Sequence, residues 1–126
     1  MDEAPLVLVV DDYRDARELY METLLVAGFR VAGAADGHEA VVRARALLPQ
    51  VVLMDLSLPG KDGWQATREL KDDPATCHIP VIALTGHSHD AAQDAAVAAG
   101  CDAFISKPCL PDLVLAEVRA RLGQPQ

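Results

Sequence analysis

Leu6-Val7-Leu8-Val9-Val10-Asp11-Asp12 is the stretch that decides the fold. Five aliphatic residues run without a polar break and stop on two carboxylates. Strict alternation would mark a strand with one wet face, whereas a continuous, largely β-branched run marks a strand buried on both faces. The pattern recurs along the chain. Val51-Val52-Leu53-Met54 stops on Asp55, Pro80-Val81-Ile82-Ala83-Leu84 stops on Thr85, and Ala103-Phe104-Ile105-Ser106 stops on Lys107. Arg30 to Ala34 reads as a weaker strand between the first two.

Amphipathic segments separate these runs. Arg14 to Ala27 places Ala16, Leu19, Tyr20, Leu24 and Ala27 at helical spacing, and Gly28 follows as a C-terminal stop. Asp36-Gly37-His38-Glu39 is a capping box that opens a second helix, with Pro49 marking its end. Asp62-Gly63-Trp64-Gln65 repeats that pattern and starts a helix running to about Asp72. His89 to Ala99 is Ala-rich and helical, stopped by Gly100. Pro111 suits the first turn of a last helix that ends near Leu122, and Gln124-Pro125-Gln126 is a frayed tail.

Strict β-α alternation argues for an open parallel α/β sheet with helices on both faces. Right-handed crossovers leave few topologies for it. A chain of 126 residues with no linker and no internal repeat suits one domain. Its residues are 51% hydrophobic but only 4% aromatic, so the core is aliphatic. Eleven basic against 19 acidic residues give a net charge of −8, which disfavours direct contact with nucleic acid or anionic membranes. The balance suits a protein whose site gathers cations, although simple solubility explains most of the charge. Three scattered cysteines with no CxxC spacing argue against a disulfide framework or a zinc knuckle, leaving Cys101 and Cys109 as small apolar fillers. No segment is apolar enough to span a membrane, and the acidic Met1-Asp2-Glu3 is no signal peptide, so the expected location is cytoplasmic.

In open parallel sheets, sites form beyond the carboxyl ends of the strands. There the chain places Asp11 and Asp12, then Asp55, then Thr85-Gly86-His87, then Lys107-Pro108. Taken singly, each is an ordinary cap, turn or surface residue. Their coincidence at one edge is what counts. Three close carboxylates cannot all stay ionised without a cation or a raised pKa. A hard divalent ion with oxygen ligands fits, and Mg2+ is the natural choice. A lysine supplies a point charge for a phosphoryl oxygen, and a hydroxyl can donate to it. Together these groups form a phosphoryl-transfer site with an Asp nucleophile.

The chain resembles the response-regulator receiver family from about Leu6 to Leu122. The motifs are Val-Val-Asp11-Asp12, Leu53-Met54-Asp55-Leu56-Ser57-Leu58-Pro59-Gly60-Lys61-Asp62-Gly63, Ile82-Ala83-Leu84-Thr85-Gly86 and Lys107-Pro108, with Asp36-Gly37-His38-Glu39-Ala40 also matching. The resemblance implies a flavodoxin-like, doubly wound (βα)5 fold with strand order 2-1-3-4-5. It implies Asp55 as phosphoacceptor, Asp12 as a direct Mg2+ ligand, Asp11 as a ligand through water, and the Ser57 backbone carbonyl as a further ligand. Lys107 would contact the phosphoryl oxygen and pair with Asp55 before transfer. Thr85 would move to bond the phosphoryl group, and Phe104, in place of the frequent Tyr, would be the aromatic that turns inward. The Lys107–Pro108 bond would be cis. Ser57 and His87 flank the path of attacking water and would tune phosphoryl lifetime.

On this resemblance the chain is a phospho-switch with self-phosphorylation and slow autodephosphorylation, not a conventional enzyme. Its donor would be a histidine kinase or a histidine phosphotransfer protein. Its output would be the surface of the helix over 89–99, the fifth strand and the last helix, remodelled for a protein partner. Arg14, Arg17 and Tyr20 could form a kinase-contact face or simply a helix surface. The last strand and helix could support a homodimer, though nothing in the sequence compels one. No output domain follows Leu122, so a single receiver over 1–126 is expected, either standing alone or cut from a longer chain.

Two other classes fit less well. A receiver-like scaffold without phosphoryl chemistry would not need the full set Asp11, Asp12, Asp55, Thr85 and Lys107. A haloacid-dehalogenase-type phosphatase would want an acid where Ser57 stands, and a flavodoxin-like flavin protein would want a phosphate-cradling loop where Asp11-Asp12-Tyr13-Arg14-Asp15 stands. His87, His89 and Asp90 resemble a metal cluster but read as solvated polar residues.

Overall fold

The computed structural model describes residues 4–56, 63–85, 100–106 and 110–122. Five strands are present: β1 (Leu6–Val10), β2 (Arg30–Ala34), β3 (Val51–Asp55), β4 (Val81–Thr85) and β5 (Ala103–Ser106). Four helices lie among the described residues: α1 (Arg14–Val26), α2 (Gly37–Leu47), α3 (Gly63–Asp72) and α4 (Pro111–Leu122). The helix expected over 89–99 lies outside the described residues.

All neighbouring strands pair in parallel, in the order β2-β1-β3-β4-β5. This is the flavodoxin-like arrangement expected above, and it puts β1 and β3 side by side at the centre. Val10 is level with both Ala34 and Met54, and Asp55 is level with Leu84. The carboxyl ends of β1, β3 and β4 therefore reach one edge together.

The continuous apolar runs serve two cores at once, because successive side chains on a strand point to opposite faces. Leu8, Val10, Val52, Met54, Val81 and Ala83 pack with α2 and α3 through Ala40, Val41, Ala44, Ala66 and Leu70. Val7, Val9, Val51, Leu53, Ile82 and Leu84 pack on the other face with Tyr20 and Leu24 of α1 and Val114 and Val118 of α4. β1 and β3 are buried at all five positions each, as their composition demands. No helix among the described residues is long and apolar enough to cross a membrane.

The helix signals act through definable bonds. Gly28 takes φ +102°, a left-handed conformation costly for any residue with a Cβ. Its N–H donates to Leu25 O at 3.0 Å while the Phe29 N–H reaches Leu24 O at 3.0 Å, a Schellman closure with Phe29 and Leu24 in the same apolar cluster. Asp36 caps α2 by accepting from the Glu39 N–H at 2.8 Å. The returning bond of the box goes one residue further back than expected, with Glu39 Oε1 accepting from the Ala35 N–H at 2.7 Å. The Asp62 half of the other box lies outside the described residues. α2 ends on Leu48 with φ 50°, a left-handed position filled by a half-exposed leucine.

Two expectations for α1 change. Leu19 is not a core residue but 48% exposed, because the core stripe runs through Ala16, Tyr20 and Leu24. Tyr20 is buried, so it cannot share a contact face with the exposed Arg14, which pairs with Glu18 at 2.9 Å. Cys101 behaves as the expected filler: half-buried against Thr67, with burial pushing its thiol pKa up. Cys77 is exposed, and Cys109 lies outside the described residues.

A latch ties α3 to the amino ends of β4 and β5. Lys71 Nζ donates to Ile79 O at 2.8 Å and to Asp102 Oδ2 at 2.9 Å. The same Asp102 oxygen accepts from the Val81 N–H at 2.8 Å, and the Asp102 N–H returns a bond to Val81 O at 2.8 Å. Gly100, at φ +101°, lies against the Lys71 stem; a Cβ there would come within 2.8 Å of Lys71 Cγ.

Candidate functional site

The sheet's carboxyl edge assembles the acids that the strand ends promised. Asp11 leaves β1 fully buried, and its N–H donates to Ala34 O at 3.1 Å, so the β1–β2 ladder extends one residue past the strand. Asp11 Oδ1 accepts from the Tyr13 N–H at 2.9 Å, which closes the turn into α1. Tyr13 occupies the N-cap but makes no side-chain cap bond, so the Asp11 carboxylate organises this turn instead. Asp12 follows, exposed to solvent. Asp55 is the last residue of β3 and only 2% exposed, and Leu56 continues the pairing by donating to Leu84 O at 3.0 Å.

One carboxylate oxygen from each of Asp11, Asp12 and Asp55 lies within 4.8 Å of the others. Acidic residues so close, two of them buried, concentrate negative charge where water screens it poorly. An all-oxygen donor set of this kind fits a hard divalent cation with open positions left for water. The donor chemistry and the depth of Asp11 and Asp55 therefore both fit Mg2+.

Of the other expected residues, Thr85 and Phe104 lie among those described. Thr85 ends β4, one step beyond Leu84, and Leu84 is level with Asp55. Phe104 is level with Ala83 and packs, partly buried, against the α2/α3 core. Ser57, His87, Lys107 and Pro108 lie outside the described residues, as does the expected cis bond.

One supporting residue escaped its sequence assignment. Arg17, read as helix surface or contact face, turns its guanidinium back to the loop, and Nη1 donates to Asp11 O at 2.8 Å. It thus steadies the backbone of a buried acid. The signal in sequence was only its position in the first turn of α1, close beyond Asp11.

The chain matches the model of the response regulator receiver domain over residues 7–119. It is 32% identical over 117 residues to the polar-differentiation response regulator DivK of Brucella anthropi, covering 93% of this chain and 95% of DivK. It is 35% identical over 114 residues to response regulator PleD of Caulobacter vibrioides, covering 90% of this chain and 25% of PleD. The chain thus spans about a quarter of PleD's length. Among solved structures, the receiver domain of a sensor histidine kinase from Pseudomonas aeruginosa superimposes with a TM-score of 0.88 at 28% identity, over 95% of this chain and 98% of that one. That structure carries a magnesium ion coordinated in its active-site cleft. The chemotaxis protein CheY4 of Vibrio cholerae gives a TM-score of 0.88 at 26% identity, over 93% of this chain and 98% of its own. With a matching family model along nearly its whole length and a relative of equal extent, this chain belongs to the response regulator receiver domain family.

Proposed function

We propose that this chain is a single receiver domain, with its core over about 6–122, that accepts a phosphoryl group on Asp55. The convergence of the Asp11, Asp12 and Asp55 carboxylates within 4.8 Å at the carboxyl edge carries this reading. Asp11, Asp12 and Asp55 would hold Mg2+, joined by the Ser57 carbonyl, and the ion would supply charge neutralisation for the phosphoryl group.

An oxygen of Asp55 attacks phosphorus on a phosphohistidine donor from a histidine kinase or histidine phosphotransfer protein. A P–O bond forms, the P–N bond breaks, and the electron pair returns to the imidazole. Lys107 would meet a phosphoryl oxygen, Thr85 would bond another, and Phe104 would turn inward, with a cis bond expected between Lys107 and Pro108. Ser57 and His87 set how easily water reaches the acyl phosphate. The output is the surface of segment 89–99, β5 and α4, read by a protein partner or a second copy, in the cytoplasm. What supports these finer roles is family membership together with the placement of Thr85 and Phe104 on their strands.

Incubation with Mg2+ and acetyl phosphate, followed by intact mass, tests the proposal. The protein gains one phosphoryl group, and Asp55→Asn does not. No gain, or a gain that survives Asp55→Asn, refutes it.

A further inference from the structure

Gly63 opens α3 and is buried against the strand that carries Asp55. A Cβ placed on it would lie 2.2 Å from the Asp55 carbonyl oxygen, 2.7 Å from Leu56 Cα and 3.0 Å from the Asp55 carbonyl carbon. Every one of these neighbours is backbone. Gly33 offers the contrast: its Cβ would meet the Met21 sulfur at 3.0 Å, the mobile end of a flexible side chain. Gly28 and Gly100 differ again, since each has a left-handed φ to satisfy. At Gly63 the missing side chain itself is what the fold needs.

The Asp55–Leu56 peptide has little freedom to retreat. β3 is paired with β1 on one side and β4 on the other, and Leu56 still donates to Leu84 O at 3.0 Å. A methyl group at position 63 therefore either lifts the first turn of α3 or rotates the peptide plane beneath it. Rotation turns Asp55 about its own backbone and moves its carboxylate relative to Asp11 and Asp12.

We infer that Gly63 is a positioning residue for the acid site: the bare first turn of α3 seats on the Asp55–Leu56 peptide and fixes the aim of the Asp55 carboxylate. The inference rests on the phosphoacceptor proposal and adds a device to it. Gly63 touches neither cation nor phosphoryl group; it acts through Asp55 alone.

The test compares Gly63→Ala with Leu70→Ala in the full chain. Leu70 is a fully buried residue of the same helix, so its truncation lowers stability without contacting Asp55. Mg2+ affinity is read by calorimetric titration with MgCl2, and phosphorylation by the initial rate with acetyl phosphate. Gly63→Ala weakens Mg2+ binding on the order of tenfold and slows phosphorylation on the order of 10²-fold, the scale of an ångström-sized misplacement. Leu70→Ala keeps both within about twofold while unfolding at lower urea, as expected of a change that affects stability alone.

A folded Gly63→Ala with wild-type affinity and rate overturns the inference, as does an equal loss in Leu70→Ala. If Gly63→Ala does not fold, the wild-type protein still decides: MgCl2 must shift the amide resonances of Gly63 and Trp64 together with that of Asp55. Movement of Asp55 alone overturns it. Absence of any Mg2+ binding by the wild type removes the underlying metal assignment, an outcome distinct from either of these.

Discussion

Lys71→Met should destabilise the fold far more than a surface lysine has any right to. Methionine keeps most of the aliphatic stem that lies against Gly100 and removes only the ammonium. Two bonds of good length are then lost. The Ile79 carbonyl loses a charged donor at 2.8 Å, on a side chain only 19% exposed. A hydrogen bond to a charged group contributes roughly 1.5–3 kcal/mol. The ion pair with Asp102 is more open, since Asp102 is 39% exposed and retains the Val81 N–H. Such a pair adds at most about 1 kcal/mol. The 3.4 Å approach to Cys77 O is too long to add much. The expected loss is therefore roughly 2–3 kcal/mol, most of it from the carbonyl.

Urea denaturation followed by circular dichroism measures this. The midpoint falls by about 1–1.5 M with an unchanged slope, and Tm drops by roughly 10 °C. Asp102→Asn, which preserves an acceptor for Val81, costs no more than about 1 kcal/mol. Salt separates the two contributions, because about 1 M NaCl screens the exposed pair and leaves the carbonyl bond. A Lys71→Met loss below about 0.5 kcal/mol, or one abolished by salt, would refute the assignment of the latch to Ile79.

Leu48→Gly should stabilise the protein by roughly 0.5–1 kcal/mol, since glycine relieves a left-handed leucine whose half-exposed side chain loses little burial; an unchanged urea midpoint counts against strain at that helix end. Asp73 contributes a pH-dependent element. The Ala75 N–H, and after it Arg45, hold its carboxyl below the ordinary value. A lowered folded pKa means that this stabilisation is complete above the unfolded value and lost as pH falls through and below about 4. The gap in urea midpoint between wild type and Asp73→Ala should therefore be full at neutral pH and close on acidification; a gap that persists to about pH 2.5 contradicts the cause given.

The sheet was legible because its code is local and redundant. An unbroken aliphatic run reads as a buried strand whatever its tertiary partners, and four such runs with one weaker strand, alternating with helices, leave one fold class. The acid cluster was legible for a related reason: strand order sends the residues after β1 and β3 to one edge, so Asp11, Asp12 and Asp55 meet without any knowledge of the loops. What escaped depends on partners remote in sequence. Lys71 finds Asp102 across 31 positions. Arg17 turns toward a backbone carbonyl that has no sequence signature, and Gly63 matters through a backbone contact that composition cannot report. Leu19 was misplaced because helical spacing defines a stripe but not its edges, and the left-handed Leu48 went unread because leucine gives no hint of such a turn.

The unbroken apolarity of β1 and β3 has a cost in specificity. In a strand that alternates, slipping by one residue drives polar groups into the core and is punished at once. Here Leu6 to Val10 offers aliphatic side chains to both faces, so a slip within the run exchanges one greasy surface for another. What forbids it is the end of the run. Sliding β1 or β3 toward its amino end would pull the already buried Asp11 or Asp55 away from the other acids at the rim and leave its carboxylate among hydrocarbons. The two acids thus act as stops at the ends of the central strands, and the residues proposed to hold the ion also keep the sheet in step.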